Sequence, residues 1–251
     1  MPTPFYHLSV AEDLLRSPEL SSEVTGFLKE QQPAFFLGNT APDVQTVSGQ
    51  ERQATHFFNL PIRPGTQPAW ERIQVVNPGL SDASHLPQDQ AAFLAGYLCH
   101  LQADWMWVRQ IFSPTFGPSS DWSTFRDRLY LHNVLRAYLD LKIMAGIEPG
   151  MDQDLEGAIP DHWLPFVEDA YLCQWRDFLV QQLQPGSNTQ TVEVFSTRQG
   201  IPAEAYYRLI ESENRLDEEI FVHLPRPTLE SYRQHLLEEN GRLLQAYLLG
   251  R

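Results

Sequence analysis

The sequence predicts an all-α fold, a multi-helix bundle built around a buried central helix at about residues 88–112. Three features lead to that expectation. Apolar residues recur at spacings of three and four along most of the chain, the period of one helix face, and alternating runs are scarce. Hydrophobic residues are 42% and aromatic residues 12% of the 251, which suffices for a core and argues against disorder. The stretch 88–112 is apolar on more than one side, as a helix enclosed by others must be.

The elements follow in order. A first helix is expected over residues 7–16, with Leu8, Ala11, Leu14 and Leu15 on one face. A second runs from about Ser21 to Gln32, capped by Ser21 or Ser22 and stopped at Pro33. The apolar run after Pro33 is expected to turn sharply through Gly38 and Pro42. Residues 59–88 are rich in Pro and Gly and read as a long connection around one short helix, Ala69–Val76. Pro87 suits the first turn of the central helix. The segment SPTFGPSSD interrupts the pattern, and Asp121 or Ser123 restarts it in a helix reaching about Met144. Another helix is expected from Asp161 to Leu183, and two more in 201–249, split at Leu224-Pro225-Arg226-Pro227. Residues 1–251 thus read as one helical domain: a core at 1–145 and a helical extension over about 146–251, its last 60 or so residues loosely attached.

With 18 basic and 32 acidic residues the formal charge is −14, which disfavours nonspecific binding of duplex nucleic acid. It leaves room for a phosphorylated substrate, because a divalent ion dominates the field in its own cleft. Cys99 and Cys173 are too few for a disulfide framework and read as core thiols. The N-terminal residues lack a basic stretch followed by an unbroken apolar one, so a cytoplasmic protein without a transmembrane segment is expected. No feature sets an oligomeric state.

Polar residues set among apolar ones carry the chemistry. His100 and Asp104, four apart in AFLAGYLCHLQADWMW, share one face of the central helix. An ionised carboxylate there is costly unless it is paired or metal-bound. A His–Asp brace between helices satisfies that requirement as well as a metal does. Asp43, just past Pro42, suits a helix cap as well as a ligand, and His56, in ATHFF, suits a satisfied core histidine. Together the four offer two imidazoles and two carboxylates, a donor set suited to a divalent metal such as zinc, iron, manganese or nickel. His85, His162, His223 and His235 read as loop or surface residues, and the acidic run Glu211–Glu219 as a solvated face.

The ordered pieces His7-Leu8-Ser9-Val10-Ala11, Phe36 to Asp43, Thr55-His56-Phe57 and Ala92 to Trp107 resemble the zinc-dependent phospholipase C family, whose superfamily includes the single-strand-specific zinc nucleases. The resemblance covers roughly the first 145 residues. It implies an all-α fold with metals in a cleft between helices, and Asp43, His56, His100 and Asp104 as ligands of a first zinc. It further implies His7 as ligand of a second metal bridged by Asp104. A third metal would need a histidine soon after the central pair and then H-x3-E or H-x3-D. Here no histidine separates Asp104 from His132, and Arg136 stands four beyond it, so His132 and Asp127 are the nearest substitutes. The expected function is hydrolysis of a phosphoester by a metal-activated water, with Asp43 orienting or deprotonating that water and a small phosphorylated compound or phospholipid headgroup as substrate. The alternative is a non-catalytic metal-binding helical protein.

Overall fold

The computed structural model describes residues 1–250, and its regular elements are helices, with no strand among the described residues. The first helix, α1 (Pro4–Arg16), begins three residues ahead of its expected start. Pro4 sits in its first turn, where the missing N–H costs nothing, and the buried Phe5 and Tyr6 anchor that turn. Helix α2 (Ser22–Glu30) is capped by Ser21, whose side chain accepts from the Val24 N–H at 3.3 Å.

Pro33 ends nothing. It opens a further helix, α3 (Gln32–Thr40), and the expected sharp turn at Gly38 is a helical position in its last turns. A proline that would stop a helix from its interior starts one as readily from the first turn. A 3-10 turn, Ala41–Val44, continues the chain into α4 (Gln45–Ser48) and α5 (Arg52–His56), then α6 (Ala69–Val76).

The central helix is α7 (Gln88–Trp107), buried continuously from Ala91 to Trp107. Beyond Trp107 the chain widens into a π-helical stretch, Val108–Phe116, containing Pro114. Helix α8 (Phe125–Met144) starts on Thr124, which accepts from the Asp127 N–H at 3.1 Å. Two further helices, α9 (Met151–Glu156) and α11 (Thr191–Gln199), have no counterpart among the expected elements. Between them α10 (Asp169–Leu183) starts eight residues later than expected: His162 takes a positive φ of 53°, and Trp163 and Leu164 are buried ahead of the helix. The tail forms α12 (Ala203–Ile210), α13 (Glu213–Leu216) with a π turn, and α14 (Arg226–Leu249).

Helices α3 and α14 pack on α7, and α1 lies against α3, α8 and α14. The α3–α7 crossing is tight because two glycines face the partner backbone. A Cβ on Gly38 would stand 1.9 Å from the Phe93 carbonyl oxygen, and one on Gly96 would stand 2.3 Å from that of Phe35. On the side of α14, Tyr232 donates to the Ala103 carbonyl at 2.9 Å and packs edge-on against Trp107. The last helix is therefore part of the core packing and not a loose appendage. Cys99 and Cys173 are both free. No described helix is long and apolar enough to cross a membrane.

Candidate metal centre

The buried helix α7 brings His100 and Asp104 into the interior one turn apart, and three other elements deliver polar groups to the same point. Helix α1 contributes His7, the 3-10 turn after α3 contributes Asp43, and the last residue of α5 is His56. His7, His56, His100 and Asp104 are all within 1% of complete burial, whereas the Asp43 side chain keeps 22% of its surface open. The cluster thus has one exposed edge, at Asp43.

The donor atoms converge. His56 Nε2 lies 3.5 Å from Asp43 Oδ1, 3.3 Å from Asp104 Oδ2 and 3.4 Å from His100 Nε2, and His100 Nε2 lies 3.9 Å from Asp104 Oδ2. Two ligands bonded tetrahedrally to zinc at about 2.0–2.1 Å would stand roughly 3.3 Å apart, close to the three spacings from His56 Nε2. On its far side the cluster leaves two buried atoms without a hydrogen-bond partner, His7 Nε2 and Asp104 Oδ1, which face each other at 3.6 Å. The atoms fall into two sets of mutual neighbours within 4.8 Å, His7–His100–Asp104 and Asp43–His56–His100. A buried orphaned nitrogen facing an orphaned carboxylate oxygen is the environment a cation satisfies.

Surrounding groups fix the imidazoles. His100 Nδ1 lies 2.8 Å from the Asn39 carbonyl, so Nδ1 carries the proton and Nε2 keeps its lone pair for the centre. His56 Nδ1 lies 3.1 Å from Thr55 Oγ1, and the Thr55 carbonyl accepts from Tyr97 Oη at 2.5 Å. His7 stacks on His100 with ring centroids 3.8 Å apart. Burial lowers the pKa of all three histidines, that of His7 to about 4 with help from the charge of His100, so the rings are neutral at pH 7. For Asp43 burial acts upward, but contact with His56 and the charges of His100 and His56 outweigh it and hold the carboxyl at about 2. Asp104 is likewise held well below its usual range: burial opposes this, and His7, His100, His56 and Arg52 overcome it. Neutral imidazoles and ionised carboxylates are the protonation states a metal requires.

His132 joins neither set. Its Nε2 accepts from Trp107 Nε1 at 2.9 Å, and its ring lies among Trp107, Phe112 and Phe116 in an aromatic core. Burial, followed by nearby positive charge including Arg136, drives its pKa well down, which suits a neutral packing histidine. Asp127, its companion as a substitute ligand, sits at the exposed start of α8 and accepts from Thr124 and Ser123.

Two residues that the sequence does not single out matter here. Arg52 donates to Asp104 Oδ2 at 2.7 Å and lies over the Phe58 ring at 4.5 Å. It stands four before His56 on α5, a helical spacing that could have marked it. Asn39, with its carbonyl on His100, leaves no such signal because the contact is made by backbone.

An all-helical protein with a buried His/Asp cluster opening at one carboxylate is the class that fold and site define. Residues 6–107 match the family model described as zinc dependent phospholipase C, the family that the sequence resembles. The match spans less than half of the chain and contains His7, Asp43, His56, His100 and Asp104. No curated protein and no solved structure matches the chain.

Proposed function

We propose that the chain is a metal-dependent phosphoric ester hydrolase, with Asp43, His56, His100 and Asp104 holding zinc and His7 with Asp104 holding a second ion. The observation that supports this reading is the set of spacings from His56 Nε2 to donors of Asp43, Asp104 and His100, each close to the separation of two ligands on one zinc. Zinc bound there would supply Lewis acidity toward a phosphoryl oxygen and a water acidified toward neutral pH. The protein's own part is to hold the donors and to admit the substrate. Asp43, ionised and partly open, is the group positioned to orient an incoming water and take its proton. The Asn39 carbonyl and Thr55 hydroxyl keep the His100 and His56 rings from turning. Arg52 offsets the charge of Asp104, so that a carboxylate can remain ionised in the interior. The family match supports a phospholipid headgroup or a small phosphorylated compound as the substrate.

A second reading, a metal-binding protein without catalysis, has one observation in its favour: four protein ligands can close a tetrahedral site by themselves. Against it stand the open edge at Asp43 and the unpartnered His7 Nε2 and Asp104 Oδ1, which leave donors beyond the four.

The test is turnover of a nitrophenyl phosphodiester and of phosphatidylcholine vesicles. The zinc-loaded protein should hydrolyse at least one, chelator should stop it and zinc restore it. His100→Ala should cost more than the roughly 10–100-fold typical of changes behind the ligands. Turnover unchanged in His100→Ala, or in metal-free protein, would exclude this site as its source. Tight zinc binding with no turnover of either substrate would favour the second reading.

A further inference from the structure

Arg136 is not among the residues of the metal centre, and its surroundings are unusual for a charged side chain. It lies on α8 with Nε shut off from solvent and without a hydrogen-bond partner. Its polar contact is Nη1 to Asn133 Oδ1 at 3.0 Å, and its guanidinium lies over the Phe195 ring at 4.4 Å. Among the described residues no carboxylate comes within the 4.0 Å of an ion pair with it. The next acid along the same face, Asp140, is committed to the hydroxyls of Thr3 and Thr191. Arg52 shows the contrast, since its guanidinium is tied to Asp104. Asp43, Asp104 and Asp140 favour its charge from farther off, but a largely buried cation with no carboxylate in direct contact is costly unless an anion joins it.

The place where an anion would sit is a cavity of about 60 Å³ that has Arg136 and Asp43 in its wall. Phe5, Trp175, Phe178 and Phe195 form much of the remainder. At roughly 10–15 Å³ per water in such measures, it admits a group of a few heavy atoms and not an acyl chain. Thr3, Thr46, Gln182, Gln190 and Thr191 add neutral polar groups to the wall, and Asp43 and Arg136 are its charged members. In so small a space a charged contact is stronger than in water. Burial lowers the Arg136 pKa only to about 10, so the side chain stays cationic at neutral pH.

We propose that Arg136 is the residue that grips the phosphoryl oxygens of the substrate, an ester, in this cavity beside Asp43. The inference rests on the reading of the site as a phosphoester hydrolase and names the group that gives it its anion. A guanidinium suits the task because its planar fork can meet two phosphoryl oxygens at once, which a lysine cannot.

The experiment measures binding by calorimetry, with inorganic phosphate and butyl phosphate as probes, on zinc-loaded and zinc-free protein. Zinc content is determined in parallel. Arg136→Gln should bind both probes about 10- to 100-fold more weakly than the parent protein. Its zinc content should be unchanged. Arg136→Lys, which keeps the charge but not the fork, should fall between the two and serves as the test if the glutamine variant does not fold. Equal affinities in the parent and in a folded variant would overturn the assignment, leaving Arg136 a structural residue stacked on Phe195. Loss confined to butyl phosphate would also overturn it, since contact with the tail would then be what was removed. Binding of inorganic phosphate without butyl phosphate would overturn the ester as the ligand. If the parent protein takes up no zinc, the hydrolase reading fails, whereas weaker phosphate binding by the zinc-free variant would still assign the anion site to Arg136.

Discussion

His7 shows how one side chain can report on the whole centre. Its ring is buried, its Nε2 has no partner, and burial with the charge of His100 draws its pKa from the ordinary 6.5 to about 4. The unfolded chain therefore takes up a proton at His7 before the folded protein does. The stability linked to this group is present above about pH 6.5 and is lost as pH falls through that window toward 4, by an amount on the order of 3 kcal/mol. Asp140 works in the opposite sense. Burial raises its carboxyl to about 7, so its contribution is present at acid pH and is lost as pH rises from about 4 to 7. A comparison of His7→Gln with the parent, both free of metal, separates the two. The parent's stability relative to the variant should fall by about 3 kcal/mol between pH 7 and pH 4 in denaturant titrations. A difference that does not change with pH would mean His7 titrates normally. At this scale the sequence is informative where the chemistry is concentrated. Asp43, His56, His100 and Asp104 stand out because each is polar among apolar neighbours. Arg136 gives no such signal, because its significance lies in the acids it does not meet, and a sequence does not display missing partners.

Among the elements, α3 and α7 bear most directly on the site. Their approach depends on Gly38 and Gly96, and the Asn39 groups that a Cβ on Gly96 would strike at 2.8 Å belong to the residue whose carbonyl holds His100. Gly96→Ala must therefore push α3 away, at a cost of about 1–3 kcal/mol or more. Because the displaced carbonyl fixes the His100 ring, zinc affinity should fall with stability, by about 10- to 100-fold. Melting and zinc titration of this variant check both. An alanine that lowers stability and leaves zinc affinity untouched would show that Asn39 does not orient His100. Gly26→Ala, in α2, is the control, since nothing lies within 4 Å of a Cβ there. Helix periodicity alone makes α1, α2, α6, α7 and α8 legible in the sequence. It fails at α3 for a definite reason: Pro33 and Gly38 both have the chemistry of chain breakers, whereas one occupies a first turn and the other a close helix contact. It fails at α9, which has only six residues, and at α11, and both pack on other helices, α9 on α3 and α10 and α11 on α8 and α12.

Across the whole molecule, the core takes in both the matched segment and the residues beyond it. Tyr232 from α14 reaches the α7 backbone, and Trp175 from α10 donates to the Thr40 carbonyl at 2.9 Å, next to the turn that carries Asp43. Residues 108–250 thus buttress ligands they do not supply, and they provide most of the cavity beside Asp43. Such support is not legible in the sequence, since nothing in an amphipathic helix states which helix it will cover. The family match stops at residue 107, yet the site's anion residue, as proposed, lies on α8 beyond it. What unites these levels is the claim that side chains from α7, α5 and the turn after α3 close on a single cation. A crystal grown with zinc and measured on both sides of the zinc absorption edge tests it most directly. The expected result is an anomalous peak bonded at about 2.0–2.2 Å to Asp43, His56, His100 and Asp104. An interior without such a peak, with zinc found only at surface residues, would contradict it.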